Sequence, residues 1–195
     1  GAVGPCGPCS EIHFDKGELE TQQDTFKDPK EGVNGENDRY VEIWNLVFMQ
    51  SERLQDGSLK PLKKQHVDTG MGLERVCAII QNKDYNYDTD LFSPIISKIA
   101  KESAVPYSSG PQGMPHRVIA DHLRAVVFAI TDGVTPANEG RGYVIRRILR
   151  RASRFAHKIG FREPFLYKLV ATLAEIMKEP FPEITQRQAY VEEVI

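Results

Sequence analysis

Cysteine is scarce: Cys6, Cys9 and Cys77 are the only three in 195 residues. An odd count in a chain this long argues against a disulfide framework and for a reducing compartment. No apolar run approaches the ~20 residues that a membrane-spanning helix requires. The first residues also lack the basic-then-apolar order of a secretion signal, so a cytoplasmic protein with no membrane partner is expected. Internal repeats and low-complexity segments are missing as well, which removes solenoids and disordered tracts from consideration. Acidic side chains are absent from one long stretch, with none between Gly140 and Arg162.

What is present fits a globular protein with a real core. The chain is 41% hydrophobic and 27% charged, an ordinary balance, and its length suits one large domain or two modest ones. Two are expected, divided near Tyr107 where Pro, Ser and Gly accumulate. Residues 1–107 carry 12 basic against 18 acidic side chains and residues 108–195 carry 13 against 9. A basic part beside an acidic one hints at a polyanion-binding half.

The first part reads as strands. "SEIHFD" alternates, and "RYVEIWNLVFMQ" is rich in aromatic and β-branched residues, predicting a well-buried strand. Between them, residues 16–38 are polar and predict a long exposed connection. Asp56-Gly57 predicts a tight antiparallel turn. From Gly72 the period becomes helical through Leu73, Val76, Cys77 and Ile80. A second helix is expected around Leu91 to Ile99 with Asp90 as N-cap, then helices over 118–130, 143–159 and 164–178 and from about Thr185. The fold class is therefore α+β: an antiparallel sheet with helices, followed by an all-helical domain.

Four stretches carry candidate chemistry. In "HVDTGMGLERV", Gly70 and Gly72 permit close approach of a ligand, and Arg75 in the first turn of the following helix adds a cation where unpaired N–H groups already favour an anion. Asp68 can hold an ammonium. The plainer alternative is a glycine turn with a Glu74-Arg75 surface pair. In "EIWNLVFMQ", strand alternation points Glu42 and Trp44 one way and Ile43, Asn45 and Val47 the other; polar groups there need partners, from a ligand or from neighbouring loops. In "GPCGPCSEIH", Cys6, Cys9 and His13 raise a zinc site, but no second cysteine pair completes a tetrahedron, so no zinc is expected and a stiff Gly-Pro loop is favoured. In "RGYVIRRILRRASRFAHKIG", Ile145, Ile148, Leu149, Ala152, Phe155, Ala156 and Ile159 fall on one helical arc, with Arg146, Arg147, Arg150, Arg151, Arg154 and Lys158 opposite. Six cations without a partner repel one another, and a phosphate backbone would relieve this; docking on acidic neighbours is the alternative. Asn138 just ahead can read a base edge or cap the helix.

Taken together and in order, "GPCGPCSEIHFD", "VEIWNLVFMQ", "VDTGMGLERV", "RVIADHLRAVVFAITDGV" and "NEGRGYVIRRILRRA" resemble the alanyl-tRNA synthetases, class II aminoacyl-tRNA ligases, from Gly4 to roughly Gly160. The resemblance implies a class II synthetase-like antiparallel sheet, ATP-dependent formation of alanyl-adenylate, and transfer of alanine to the 3′ end of its tRNA. By that likeness Arg75 contacts the γ-phosphate of ATP within a motif that includes Gly72, and Asp68 binds the alanine ammonium. Gly70, Asn45 and Val47 complete the amino-acid pocket, and Glu42 helps hold Mg²⁺. Residues 1–107 correspond to the later part of the catalytic domain and 108–195 to the start of the helical tRNA-recognition domain. There Asn138 reads the G-U wobble pair of the acceptor stem, and Arg141 with the arginine helix forms a phosphate platform.

A small alanine pocket separates neighbours differing by one methyl or hydroxyl by only ~1–3 kcal/mol, so editing elsewhere in such an enzyme is expected. Two earlier signature motifs of the family have no counterpart in the chain. It is therefore expected to be a piece of a longer synthetase, to need the remainder as its partner, and to form no adenylate by itself. The alternative reading is an RNA-binding module without catalysis.

Overall fold

The computed structural model describes residues 3–17, 33 and 39–195; most of the connection expected over 16–38 lies outside them. Contacts divide the chain into two compact units, Gly1–Asn82 and Lys83–Ile195.

The first unit is built on one antiparallel sheet. Strands β1 (Gly4–Cys6) and β2 (Cys9–Asp15) run one after the other along one edge of the long strand β3 (Tyr40–Arg53), and β4 (Leu59–Met71) pairs with its other edge. The expected Asp-Gly turn joins β3 to β4, where the Ser58 amide and hydroxyl both donate to Asp56 Oδ1. Gly7 lies between β1 and β2 for a steric reason: a Cβ there would sit 1.7 Å from the Phe48 carbonyl oxygen. Only without one can the Gly-Pro step hug β3, so that the Phe48 N–H donates to the Pro8 carbonyl at 2.8 Å. Helix α1 (Leu73–Ile80) follows β4 directly, with Gly72 as N-cap.

Because residues opposite each other on paired strands share a face, the register sorts the side chains. One face carries rows Cys9·Val47·Asp68 and Glu11·Asn45·Gly70; the other carries Ser10·Leu46·Thr69 and Ile12·Trp44·Met71. The first is polar and the second apolar. Contrary to the well-buried strand expected for 39–50, the residues of β3 are half-buried or exposed, and among the described residues of this unit only Ala78 is buried. A strand is buried on both sides only when a layer covers each face, and here Ile12, Phe48, Val67 and Met71 on the apolar side remain 40–56% exposed.

Lys83–Ile195 contains helices and 3-10 turns. Helices α2 (Ser93–Ser103), α3 (Met114–Thr131), α4 (Gly140–Lys158), α5 (Val170–Met177), α6 (Pro182–Gln186) and α7 (Gln188–Val194) surround a core that includes Ile95, Ile99, Ile119, Leu123, Val127, Leu169 and Leu173. Asp90 does not cap α2. Its N-cap is Phe92, with no side-chain cap bond, because Pro94 is tolerated only in a first turn and sets the start at Ser93. Helix α2 packs on α3 and α5 inside this unit, so packing groups it with residues that follow the charge boundary near Tyr107.

His116, on α3, is fully buried. Its Nε2 donates to the Val105 carbonyl at 3.0 Å, while Nδ1 has no partner among the described residues. Burial, helped by Arg117 and opposed by the Val105 bond, pushes its pKa below the usual 6.5. The unfolded chain then binds the proton more readily, so this contribution to stability is whole above about pH 6.5 and is lost as pH falls below it. Urea melts at pH 7.5 and 5.5 should give a lower midpoint at pH 5.5, and His116→Gln should shrink the difference.

Candidate active face and nucleic-acid interface

The polar face of the sheet gathers several residues singled out from the sequence. Asp68 lies directly across from Val47, and Gly70 across from Asn45. A Cβ on Gly70 would meet nothing within 4 Å, so the strand leaves open space beside Asn45. Glu42 requires a correction. Simple alternation puts it with Trp44, but the register shifts between Ile12 and His13, leaving Ile43 as the extra residue of a bulge and Glu42 opposite His13. Since His13 and Glu11 occupy the same face of β2, the bulge turns Glu42 to the side of Asn45. Trp44 points the other way and donates its indole N–H to Thr69 Oγ1.

Arg75 does not form a surface pair with Glu74. It reaches back from the first turn of α1 to β3, where Nη1 donates to the Glu42 carbonyl and lies 3.7 Å from Glu42 Oε2. Both side chains stay open to solvent, at 47% and 40% exposure. A guanidinium fork at a helix N-terminus suits phosphate. One exposed carboxylate beside it suits Mg²⁺, which commonly takes one or two protein carboxylates together with substrate phosphates and water. From Glu42, opposite His13, to Val47, opposite Cys9, the partner strand advances four residues, roughly 13 Å at ~3.3 Å each.

Glu11 on this face is missed by sequence reasoning, and His13 is singled out there only as a possible zinc ligand. Glu11 Oε1 accepts from Asn45 Nδ2 at 2.9 Å, and Glu11 Oε2 accepts from His13 Nε2 at 3.1 Å. Their signal is faint: Glu11 and His13 are alternate residues of a predicted strand, but nothing in the sequence ties Glu11 to a residue 34 positions away. Cys9 and His13, two of the residues weighed for zinc, stand four residues apart on one extended strand, roughly 13 Å. None of the three cysteines forms a disulfide.

In the second unit, α4 has the two faces its periodicity predicts. Ala152, Ala156 and Ile159 are buried, and Ile145, Ile148, Leu149 and Phe155 pack against the core. Arg141, Arg146, Arg147, Arg150, Arg151, Arg154 and Lys158 are all exposed. Among the described residues none of these seven pairs with a carboxylate, so the alternative of docking on acidic neighbours finds no support there. Instead Arg147 lies over the Tyr143 ring, and Arg151 and Lys158 over Phe155. Asn138 is not the helix cap; Glu139 occupies that position, without a side-chain bond. Arg146 Nη1 donates to Asn138 Oδ1 at 2.6 Å, which leaves the Asn138 amide to act as a donor. Gly142 holds the Asn138 loop against the helix, because a Cβ there would lie 2.5 Å from the Thr135 carbonyl oxygen.

Among the described residues no helix is long and apolar enough to cross a membrane. The family model described as tRNA synthetases class II (A) matches residues 1–195. Among curated relatives, the alanine–tRNA ligase of Chlorobium phaeobacteroides is 50% identical over 198 residues, covering 100% of this chain and 22% of the relative. That of Cereibacter sphaeroides is 50% identical over 195 residues, covering 100% and 21%. That of Chlorobaculum tepidum is 48% identical over 198 residues, covering 100% and 22%. The chain thus spans about a fifth of the length of these relatives. With an antiparallel sheet that carries the glycine-and-arginine motif into a helix, and with a match along its whole length, the chain belongs to the class II (A) tRNA synthetases.

Proposed function

We propose that the chain is part of an alanine–tRNA ligase, contributing residues for amino-acid activation from the first unit and for tRNA binding from the second. The observation that carries the first half is the juxtaposition of Asp68 with Val47 and of Gly70 with Asn45 on one polar face, with Arg75 and Glu42 further along it. In the reaction the alanine carboxylate attacks the α-phosphorus of ATP; the new acyl-phosphate bond forms as the α–β anhydride breaks and pyrophosphate leaves. A tRNA 3′-terminal hydroxyl then attacks the carbonyl and AMP departs.

Asp68 takes the ammonium of alanine, Gly70 and Val47 flank its methyl group, and Asn45 offers a hydrogen bond. Arg75, with Gly72 opening its helix, holds the γ-phosphate, and Glu42 is the carboxylate that would hold Mg²⁺. When bound, that ion neutralises charge developing on pyrophosphate. Positioning and cationic stabilisation supply most of the rate in such a transfer. The distance along β3 accommodates an amino acid at one end and a triphosphate tail at the other.

Residues 108–195 correspond in this reading to the beginning of a helical tRNA-recognition domain, and residues 1–107 to the later part of the catalytic domain. Arg141, Arg146, Arg147, Arg150, Arg151 and Arg154 bind acceptor-stem phosphates, and Asn138 donates from its amide to a base edge. The rest of a synthetase chain would complete the site, and the protein would work in the cytoplasm. In the full-length protein, Asp68→Ala should lower kcat/KM for alanine in ATP–pyrophosphate exchange by about 100-fold, the scale of a lost charge-assisted bond, with the KM for ATP little changed. The arginine face, without a carboxylate partner among the described residues, also supports the narrower reading of an RNA-binding module. Under that reading Asp68→Ala leaves aminoacylation untouched.

A further inference from the structure

The row Glu11·Asn45·Gly70 contains a polar contact that the activation chemistry leaves unassigned. An ionised carboxylate only accepts hydrogen bonds, whereas the Asn side chain has one accepting and one donating end. Glu11 Oε1 lies 2.9 Å from Asn45 Nδ2, so the amide must turn its NH2 toward Glu11. What Asn45 can then offer a ligand is its carbonyl oxygen. His13 secures the other end of the carboxylate: Nε2 donates to Glu11 Oε2 at 3.1 Å from a side chain only 8% exposed. Its Nδ1 has no partner among the described residues, so the bond to Glu11 is the polar contact that holds the ring.

We infer that Glu11 is a positioning residue for substrate recognition, holding Asn45 with its acceptor end presented to the primary ammonium of the amino acid. Asp68 sits on the strand beside Asn45, one row away. Diagonal neighbours on one face are ~7–8 Å apart at the backbone, within reach of a group bound between their side chains. An ammonium has three N–H donors and can be shared by the Asp68 carboxylate and the Asn45 carbonyl oxygen. Without Glu11 the amide is free to flip and present an NH2 group, a donor facing a donor. This inference rests on the reading of Asp68 as the ammonium site and names the device that orients its neighbour.

The test is alanine saturation in ATP–pyrophosphate exchange with the full-length protein. Glu11→Ala should raise the KM for alanine about 10- to 30-fold, the range for a hydrogen bond to a charged group, and leave the KM for ATP within about twofold. Because Glu11 acts through Asn45, Glu11→Ala combined with Asn45→Ala should be no worse than Asn45→Ala by itself. Glu11→Gln, which keeps an accepting oxygen, should recover most of the loss. If Glu11→Ala does not fold by circular dichroism, Glu11→Met keeps the side-chain length without an acceptor and carries the same expectation. The inference is overturned if the losses multiply in the double variant, if both KM values rise alike, or if the alanine KM does not move. Asp68→Ala separates the two levels: a raised alanine KM there with none at Glu11 sinks this inference only. An unchanged value at both sinks the activation reading as well.

Discussion

Replacing Arg75 by Ala in the full-length protein is expected to reduce ATP–pyrophosphate exchange about 1000-fold, with the fold unchanged. The size follows from what the group does. A preorganised cation on the leaving pyrophosphate, where charge develops, commonly contributes ~10²–10³-fold to rate, and Arg75 lies in the first turn of α1, where the helix end adds to its charge. The fold should survive because the side chain is 47% exposed and, among the described residues, its polar contacts are with Glu42: one bond to the backbone carbonyl and one ion pair at 3.7 Å. An exposed pair of that kind is worth at most about 1 kcal/mol. Arg75→Lys keeps the charge but loses the planar fork, so it should recover no more than about a tenth of the lost activity. Steady-state exchange beside a thermal melt checks both halves, and an Arg75→Ala protein with normal exchange would remove the phosphate role.

The second large effect concerns α4. Changing Arg150, Arg151 and Arg154 together to Ala should weaken tRNA binding by about 100-fold near physiological salt, and should reduce the slope of log K against log salt by about 2 to 3. These side chains are exposed and, among the described residues, have no carboxylate partner, so their removal relieves mutual repulsion in the free protein. Stability should therefore hold or rise slightly. Filter binding across a salt series measures both quantities. A large loss with an unchanged slope would mean that the arginines act by shape and not by neutralising phosphate.

Legibility differs between the two units for physical reasons. The helical period of 3.6 residues is local, so the apolar and cationic faces of α4 can be separated from a list of residues. The Asp56-Gly57 turn is equally local and announces the β3–β4 hairpin. Glu42 falls on the wrong face by simple alternation because alternation assumes an unbroken strand, and the bulge at Ile43 exists only in the pairing with β2. Asp90 has the chemistry of a cap, yet Pro94, four residues later, controls where α2 begins. The composition of β3 overstates its burial: it reflects affinity for a pleated surface, whereas burial depends on what covers that surface.

By itself the sequence determined the α+β order of elements, the amphipathic helices and the short motifs, because each is written in neighbours a few positions apart. Only the tertiary structure decided that Glu11 faces Asn45, that Glu42 joins them, and that Gly7 and Gly142 mark close backbone approaches. Those facts depend on strand register and on loops folding back, which bring together residues tens of positions apart and which no local pattern records.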